Sequence, residues 1–386
     1  MLYISIILSA YNHEASVQQC LESIIDQENA DMQLECIIVD DCSTDNTLNV
    51  IRRVVGGYKG NIIFRIFRHQ THYGLARSRN TGLQRAQGYF VLFLNGVDRL
   101  RAGCIDTYMV SLMRHWDADV IAGNVYHVSL GRNLFNNISN ALVLRGKGDV
   151  MCHEMIRNNM FLYCNNKLIR RDVLINSNIT FNEGVSYPDI QWCFSLFKNL
   201  SSVVLLPDVT YEYSLRQVGA INHAMKWVNA LLASYTATCE TLLDHTPRPE
   251  SSDGGYYQAH QLFVYGMLVH SQSLIEEYNV SNQVKRELGN IRSRLIDQTK
   301  NDGQKMLYLY FRQDSSIITR CSSLRSSTIS ESPSKVLHMS STCSWADKFL
   351  IFTINYVGNS KKMCIFATNP TEQLLLCLKK LEPLWP

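Results

Sequence analysis

A strand, a polar loop and a helix follow one another twice within the first 54 residues, and that order constrains the fold more than any other feature of the chain. The run Leu2-Tyr3-Ile4-Ser5-Ile6-Ile7-Leu8 is apolar and β-branched, and it breaks at Ser9-Ala10-Tyr11-Asn12-His13 into a polar turn. Glu14 to Gln27 then places Val17, Cys20, Leu21, Ile24 and Ile25 at helical spacing. A second buried strand, Glu35-Cys36-Ile37-Ile38-Val39, runs into Asp40-Asp41-Cys42-Ser43-Thr44-Asp45 and a helix from Thr47 to Val54. This order predicts an α/β fold with a mostly parallel sheet, flanked by helices, that gathers ligands at the carboxyl ends of its strands.

At 386 residues, with 46% hydrophobic and 18% charged, the chain can bury one sizeable core and a smaller one. Lys+Arg of 37 against Asp+Glu of 34 leaves +3, too slight a balance to imply a nucleic-acid partner. Twelve cysteines, Cys20, Cys36, Cys164 and Cys193 among them, are scattered without a Cys-x-x-Cys pair or zinc spacing, the pattern of buried free thiols in a reducing compartment. The first residues lack a basic region and a small-residue cleavage site, and no apolar run reaches about 18 residues. The expectation is a cytoplasmic enzyme with neither signal peptide nor membrane span.

Downstream, Phe93-Leu94-Asn95-Gly96-Val97-Asp98 is an apolar strand that runs into an acidic turn. A strand ending in carboxylates can hold a divalent cation against a diphosphate; here Asp98 brings a full charge, Asn95 a neutral oxygen and Val97 nothing. Four blocks occur in order: Ile6 to Asn12, Ile37 to Asp45, Gly74-Leu75-Ala76-Arg77-Ser78-Arg79-Asn80-Thr81-Gly82, and Gly88 to Asp98. Together they resemble family-2 glycosyltransferases of the GT-A, Rossmann-like fold, of the bacterial surface-polysaccharide type. Asn166 to Arg171 and Phe181 to Asp189 resemble that family's acceptor-side blocks, and the likeness closes with Tyr211-Glu212-Tyr213 and Ala220-Ile221.

The resemblance implies a nucleotide site at Ala10, Tyr11, Asp40, Asp41 and Arg79. Asp40 and Asp41 lie where a strand gives way to a loop, where a carboxylate can take the imide N–H of uracil or a ribose hydroxyl; by resemblance Asp41 is the base contact. Alternatively both cap the next helix, although Asp45 is the better capping candidate. The planar fork of Arg79 suits a diphosphate, with Arg77 as the alternative. Asp98, with Asn95, is expected to hold Mg²⁺ or Mn²⁺ weakly, because the family's acidic residues are missing at Asn95 and Val97. Asp189 is the candidate general base for an inverting displacement; the family's preceding Glu is Pro188 here. As the bland alternative, Asp189 only favours the positive end of the helix Ile190 to Leu200, whose Cys193, Leu196, Phe197 and Leu200 form an apolar stripe.

The sequence divides into a transferase domain at 1–221, a helical extension at 222–314, a serine-rich connection at 315–346 and a small element at 347–386. In the extension, helices are expected over Ala224 to Leu243, Tyr256 to Glu277 and Asn282 to Lys300. Lys285, Arg286, Arg292 and Arg294 read as a solvated face first and a lipid-headgroup contact, peripheral at the inner face of the membrane, second. Lys348 to Val357 and the residues after it read as a strand pair around a turn.

Two functions follow from the resemblance. One is an inverting hexosyltransferase of polysaccharide biosynthesis, moving a sugar from a UDP-linked donor to a glycan or lipid-linked acceptor hydroxyl. The other is a non-catalytic relative that binds nucleotide or glycan and supports a partner transferase. A dinucleotide dehydrogenase is a poor third, since no Gly-x-Gly-x-x-Gly follows the first strand. The loops Gly123 to Arg145 and Cys152 to Asn166 are expected to set donor and acceptor choice.

Overall fold

The computed structural model describes residues 2–29, 32–128, 131–133, 138–148, 150–151, 163–185, 188–214, 221–245, 264, 267–268, 271, 275, 280–301, 353–356 and 363–366. The chain divides into two compact units, residues 1–234 with 353–364 and residues 235–352 with 365–386.

The first unit opens as the sequence predicts. Strand β1 (Leu2–Ala10) leads to helix α1 (Val17–Ile25), β2 (Met32–Asp40) to α2 (Thr47–Gly57), and β3 (Ile63–Arg68) to α3 (Leu75–Arg85) before β4 (Phe90–Asn95). Next come β5 (Arg99–Leu100), α4 (Cys104–Arg114), β6 (Val120–His127), β7 (Arg132–Asn133), β8 (Leu142–Arg145), β9 (Lys167–Arg170), α5 (Arg171–Asn176), α6 (Asp189–Lys198) and β10 (Ser202–Tyr213). One sheet runs in the order β3-β2-β1-β4-β9-β6-β10-β5, with β7 added on β6 and β8 on β10.

The β3-β2-β1-β4 half is parallel, and β6 pairs β10 in parallel; between the halves β9 runs antiparallel to both β4 and β6. Ile4, Ile6, Ile7 and Leu8 of β1, Cys36 to Val39 of β2 and Val91 to Phe93 of β4 are fully buried. Continuous apolar runs of this kind belong to strands covered on both faces, which is why they do not alternate with polar residues. Gly123 to His127, expected in a loop, forms the end of β6 instead. Gly123 is needed there because a Cβ would lie 2.1 Å from Thr210 Oγ1 on β10. Residues 152–162 of the second expected loop lie outside the described residues.

Helix α7 (Ile221–His245) spans the boundary between the units, and α8 (Asn282–Asn301) lies in the second. Within that second unit Leu242, Leu243, Leu288, Ile291 and Leu295 are buried, and Gln298 Nε2 donates to the Leu243 carbonyl at 3.3 Å. Arg294 pairs with Asp244, while Lys285 and Arg286 are exposed, in line with a solvated face. Of the expected helix 256–277 the described positions 264, 267, 268, 271 and 275 are helical, with Val264, Met267, Leu268 and Ser271 buried at helical spacing. Strands β11 (Thr353–Tyr356) and β12 (Met363–Phe366) pair with each other, as expected of a strand pair around a turn. The serine-rich stretch 315–346 lies outside the described residues. Among the described residues no helix is long and apolar enough to cross a membrane.

Candidate active site

The parallel register lines up the carboxyl ends of three neighbouring strands. Ala10 pairs with Asp40, and Ser9 with Asn95, so residues some 85 positions apart in the chain meet at one edge. Two loops then lock together. Asn12, at φ 54°, accepts the Thr44 N–H at 2.8 Å through its side-chain oxygen, while its own N–H donates to Ser43 Oγ at 3.0 Å. Asp45 accepts the Thr47 N–H at 3.0 Å and the Glu14 N–H at 3.1 Å, so it satisfies one N–H of the first turn of α2, while the N-cap position itself is Asn46.

Asp40 and Asp41 have opposite surroundings. The Asp41 carboxylate accepts the Tyr73 N–H at 3.0 Å and the Gly74 N–H at 2.7 Å, with His69 Nδ1 2.6 Å from Oδ1 and His72 Nδ1 2.8 Å from Oδ2. His72 also stacks on the ring of Tyr11, with centroids 3.8 Å apart. Asp40 is fully buried, and its two carboxylate oxygens accept no hydrogen bond; Arg68 Nε lies 3.3 Å from Oδ2 as its ion pair. Sequence reasoning missed the 69–74 loop. Its signal was the position of the two histidines directly after β3, the strand next to the one that ends in Asp40 and Asp41.

A second network joins Arg79, Asn95, Asp98 and Asp189. Gly74, at φ 94°, begins α3 in a conformation that suits glycine, and the helix carries Arg79 and Asn80 inward to burial. Asn80 Nδ2 donates to the Phe181 carbonyl at 2.9 Å while its Oδ1 accepts the Phe181 N–H at 2.8 Å, which holds the segment leading to α6 against α3. Phe181 stacks on Trp192 of α6 at 4.5 Å, and Arg79 lies over the same Phe181 ring at 5.0 Å. Arg79 Nη1 donates to Asp189 Oδ2 at 2.8 Å and Nη2 to Asn95 Oδ1 at 3.2 Å.

Asp189 sits in the first turn of α6, after Pro188, with 17% of its side chain exposed; its Oδ1 accepts the Cys164 N–H at 3.0 Å. Burial pushes its carboxyl up, but the Arg79 charge and the bonds from Arg79 and Cys164 outweigh it and hold it below the usual carboxylate range. It is therefore held in its ionised form, with a donor on each of its two oxygens. Arg79, only 2% exposed, is its ion-pair partner.

Asp98 is fully buried. Its Oδ1 accepts the Ser214 N–H at 2.8 Å, and its Oδ2 accepts from Tyr211 Oη at 2.6 Å and Asn95 Nδ2 at 3.0 Å. Burial raises its carboxyl to about 6, against the lowering pull of those three donors and of Arg79. The structure thus brings Asn95 and Asp98 together as the sequence predicts, yet turns them toward each other. Hard cations need several free oxygen ligands. Here one carboxylate has both oxygens occupied, the amide oxygen faces a guanidinium, and no group of three His, Cys, Asp or Glu among the described residues could hold a metal. The residues present do not fit a protein-held Mg²⁺ or Mn²⁺. Tyr211, quoted in the block that closes the resemblance, and Ser214 just after it could not be tied to Asp98 from the sequence, because nothing local relates the end of β10 to the end of β4.

Among the described residues Cys20, Cys36, Cys42, Cys104, Cys164, Cys193 and Cys239 form no disulfide. Lys167 is buried against the carbonyls of Tyr163 and Asn165 and against Asn166 Oδ1 at 3.2 Å, and burial holds its ammonium below its ordinary value.

Comparison with known proteins gives this arrangement a family. The family model described as glycosyl transferase family 2 matches residues 5–177. The chain is 24% identical over 223 residues to the poly(ribitol-phosphate) beta-N-acetylglucosaminyltransferase TarS of Staphylococcus aureus (strain MW2), covering 57% of this chain and 36% of the relative. It is 22% identical to the cholesterol galactosyltransferase of Borreliella burgdorferi, covering 73% of this chain and 78% of the relative. A crystal structure of S. aureus TarS 1–349 in complex with UDP-GlcNAc superposes with a TM-score of 0.60 at 20% identity, covering 77% of this chain and 81% of that one. The chain spans about a third of the length of full TarS, so these likenesses speak for the domain and its fold. Residues 5–177 thus match glycosyl transferase family 2, in a domain with the GT-A fold.

Proposed function

We propose that this domain is an inverting glycosyltransferase that moves a sugar from a UDP-linked donor to an acceptor hydroxyl on a glycan or a lipid-linked saccharide, in polysaccharide biosynthesis. One observation carries the reading: a carboxylate, Asp189, with 17% of its side chain exposed, kept ionised by Arg79 and the Cys164 N–H and joined through Arg79 to Asn95 at the carboxyl end of β4. In an inverting displacement the acceptor oxygen attacks the anomeric carbon from the face opposite the diphosphate, and its proton passes to a carboxylate within hydrogen-bond reach. Asp189 takes that proton. The nucleotide lies across the ends of β1 and β2, with Ala10 at the strand edge, the Tyr11 ring beside the base and Asp40 and Asp41 offering carboxylate oxygens. By resemblance Asp41 is the base contact, and the Tyr73 and Gly74 N–H groups hold its carboxylate at the strand end. Arg79 adds positive potential from beneath while it aims Asp189.

The solved TarS structure is titled with UDP-GlcNAc, which makes UDP-GlcNAc the first donor to try. A second reading, a non-catalytic nucleotide- or glycan-binding relative of a partner transferase, is favoured by Val97, which leaves the turn after β4 with a single carboxylate. Turnover separates the two. With a panel of UDP-sugars, the Asp189→Asn protein is expected to keep donor affinity within about twofold while losing transfer by about 10²–10⁴-fold. Wild-type protein that binds UDP but turns over no donor would support the second reading, and an active Asp189→Asn enzyme would move the base elsewhere.

A further inference from the structure

The end of β4 is tied to the end of β10 through Asp98. Tyr211 Oη reaches it from β10 and the Ser214 N–H from the residue after that strand, Asn95 Nδ2 from β4, and Arg79 Nη2 fixes the orientation of Asn95 by donating to its Oδ1. A divalent cation bound by this run would have to strip Asp98 of donors, flip the Asn95 amide so that its oxygen left the guanidinium, and settle beside the charge of Arg79. Val97, the remaining side chain of the turn, offers no ligand atom. Losing even one of those charge-assisted bonds is costly in a buried site, and a single carboxylate returns little to a hard cation.

We infer that the Asn95–Asp98 run is a lock that joins β4 to β10, and that the nucleotide site of this domain works without a divalent cation held by the protein. The inference rests on the proposed nucleotide-sugar chemistry for its second half, while the lock stands on the geometry alone. Fixed positive charge is supplied by Arg79, whose guanidinium also faces Asp189.

Three measurements on the full chain test it. In the first, Mn²⁺ alone is titrated and followed by electron paramagnetic resonance; the free-ion signal is expected to be undiminished up to about 1 mM. Mn²⁺ that binds to wild type but not to Asp98→Asn overturns the inference, whereas Mn²⁺ that Asp98→Asn retains lies elsewhere and leaves the run cation-free. In the second, calorimetry with UDP in EDTA and in Mn²⁺ is expected to give Kd values within about twofold, and a gain of about tenfold or more with Mn²⁺ overturns the second half. In the third, Tyr211→Phe is expected to lower the unfolding midpoint by about 2–4 °C, the loss of one buried hydrogen bond. An unchanged midpoint removes the lock. Should UDP bind in neither buffer, the proposed function fails, while the Mn²⁺ and unfolding measurements still decide whether the run is a lock or a cation site.

Discussion

Asp98 and Asp189 are carboxylates of one hydrogen-bond network whose surroundings push their protonation in opposite directions. Asp189 faces a guanidinium and is held below the usual range; Asp98 is enclosed, and burial lifts it to about 6. The linkage signs differ accordingly. For Asp189 the folded chain prefers the ionised form, so its contribution is present above the ordinary carboxylate value and is lost as pH falls through its depressed value. For Asp98 the folded chain holds the proton more tightly than the unfolded chain does. Its contribution is full below the ordinary value near 3.8 and is lost as pH rises through about 6. Urea unfolding of wild type and Asp98→Asn at both ends of that window is expected to show wild type losing ground relative to the variant as pH rises. A constant difference between the two proteins would place Asp98 at an ordinary carboxylate value. At this scale the sequence made Asp98 and Asp189 visible as acids after an apolar strand and before an apolar helix. It could not show their protonation, which depends on Tyr211, Ser214, Cys164 and Arg79 arriving from other elements.

Helix α3 is the element on which the site hangs, and its closeness to β1 depends on Gly82. A Cβ at that position would lie 2.2 Å from Ile7 Cγ2, and Ile7 is fully buried in the centre of the sheet. Gly82→Ala gains helix propensity, worth roughly 1 kcal/mol in an exposed helix, but forces α3 away from β1. The overpacking term is larger, and a net loss of about 1–3 kcal/mol is expected in chemical unfolding. Ile7→Ala removes the offending methyl, so the double variant is expected to be more stable than the sum of the two single changes implies. Strict additivity would mean that α3 does not rest on Ile7. The helix was legible as the block Gly74 to Gly82. What its glycines do was not, because one starts the helix with positive φ and the other answers to a residue 75 positions earlier.

At the scale of the whole molecule, a ligand that binds only the folded chain raises its stability by mass action. UDP or its sugar at about a hundredfold excess over Kd should add about 2.7 kcal/mol and lift the midpoint of the sheet-bearing unit by about 5–10 °C. Thermal scans that show no shift with any nucleotide would count against a nucleotide site at the strand ends. The alternation of apolar strand, polar loop and helix determined the parallel half of the sheet from sequence alone, since continuous β-branched runs must be covered on both faces. It also determined the placing of Ala10, Asp40, Asp41 and Asn95 at one edge, because parallel strands deliver their carboxyl ends together. Only the tertiary structure decided what those residues touch. The 69–74 loop closes on Asp41 and leaves Asp40 without a donor, and β10, more than 100 residues downstream, closes on Asp98. A side chain's charge and reach are written in its own identity, whereas its partners are set by packing between elements that are distant in the chain, and no local pattern records that packing.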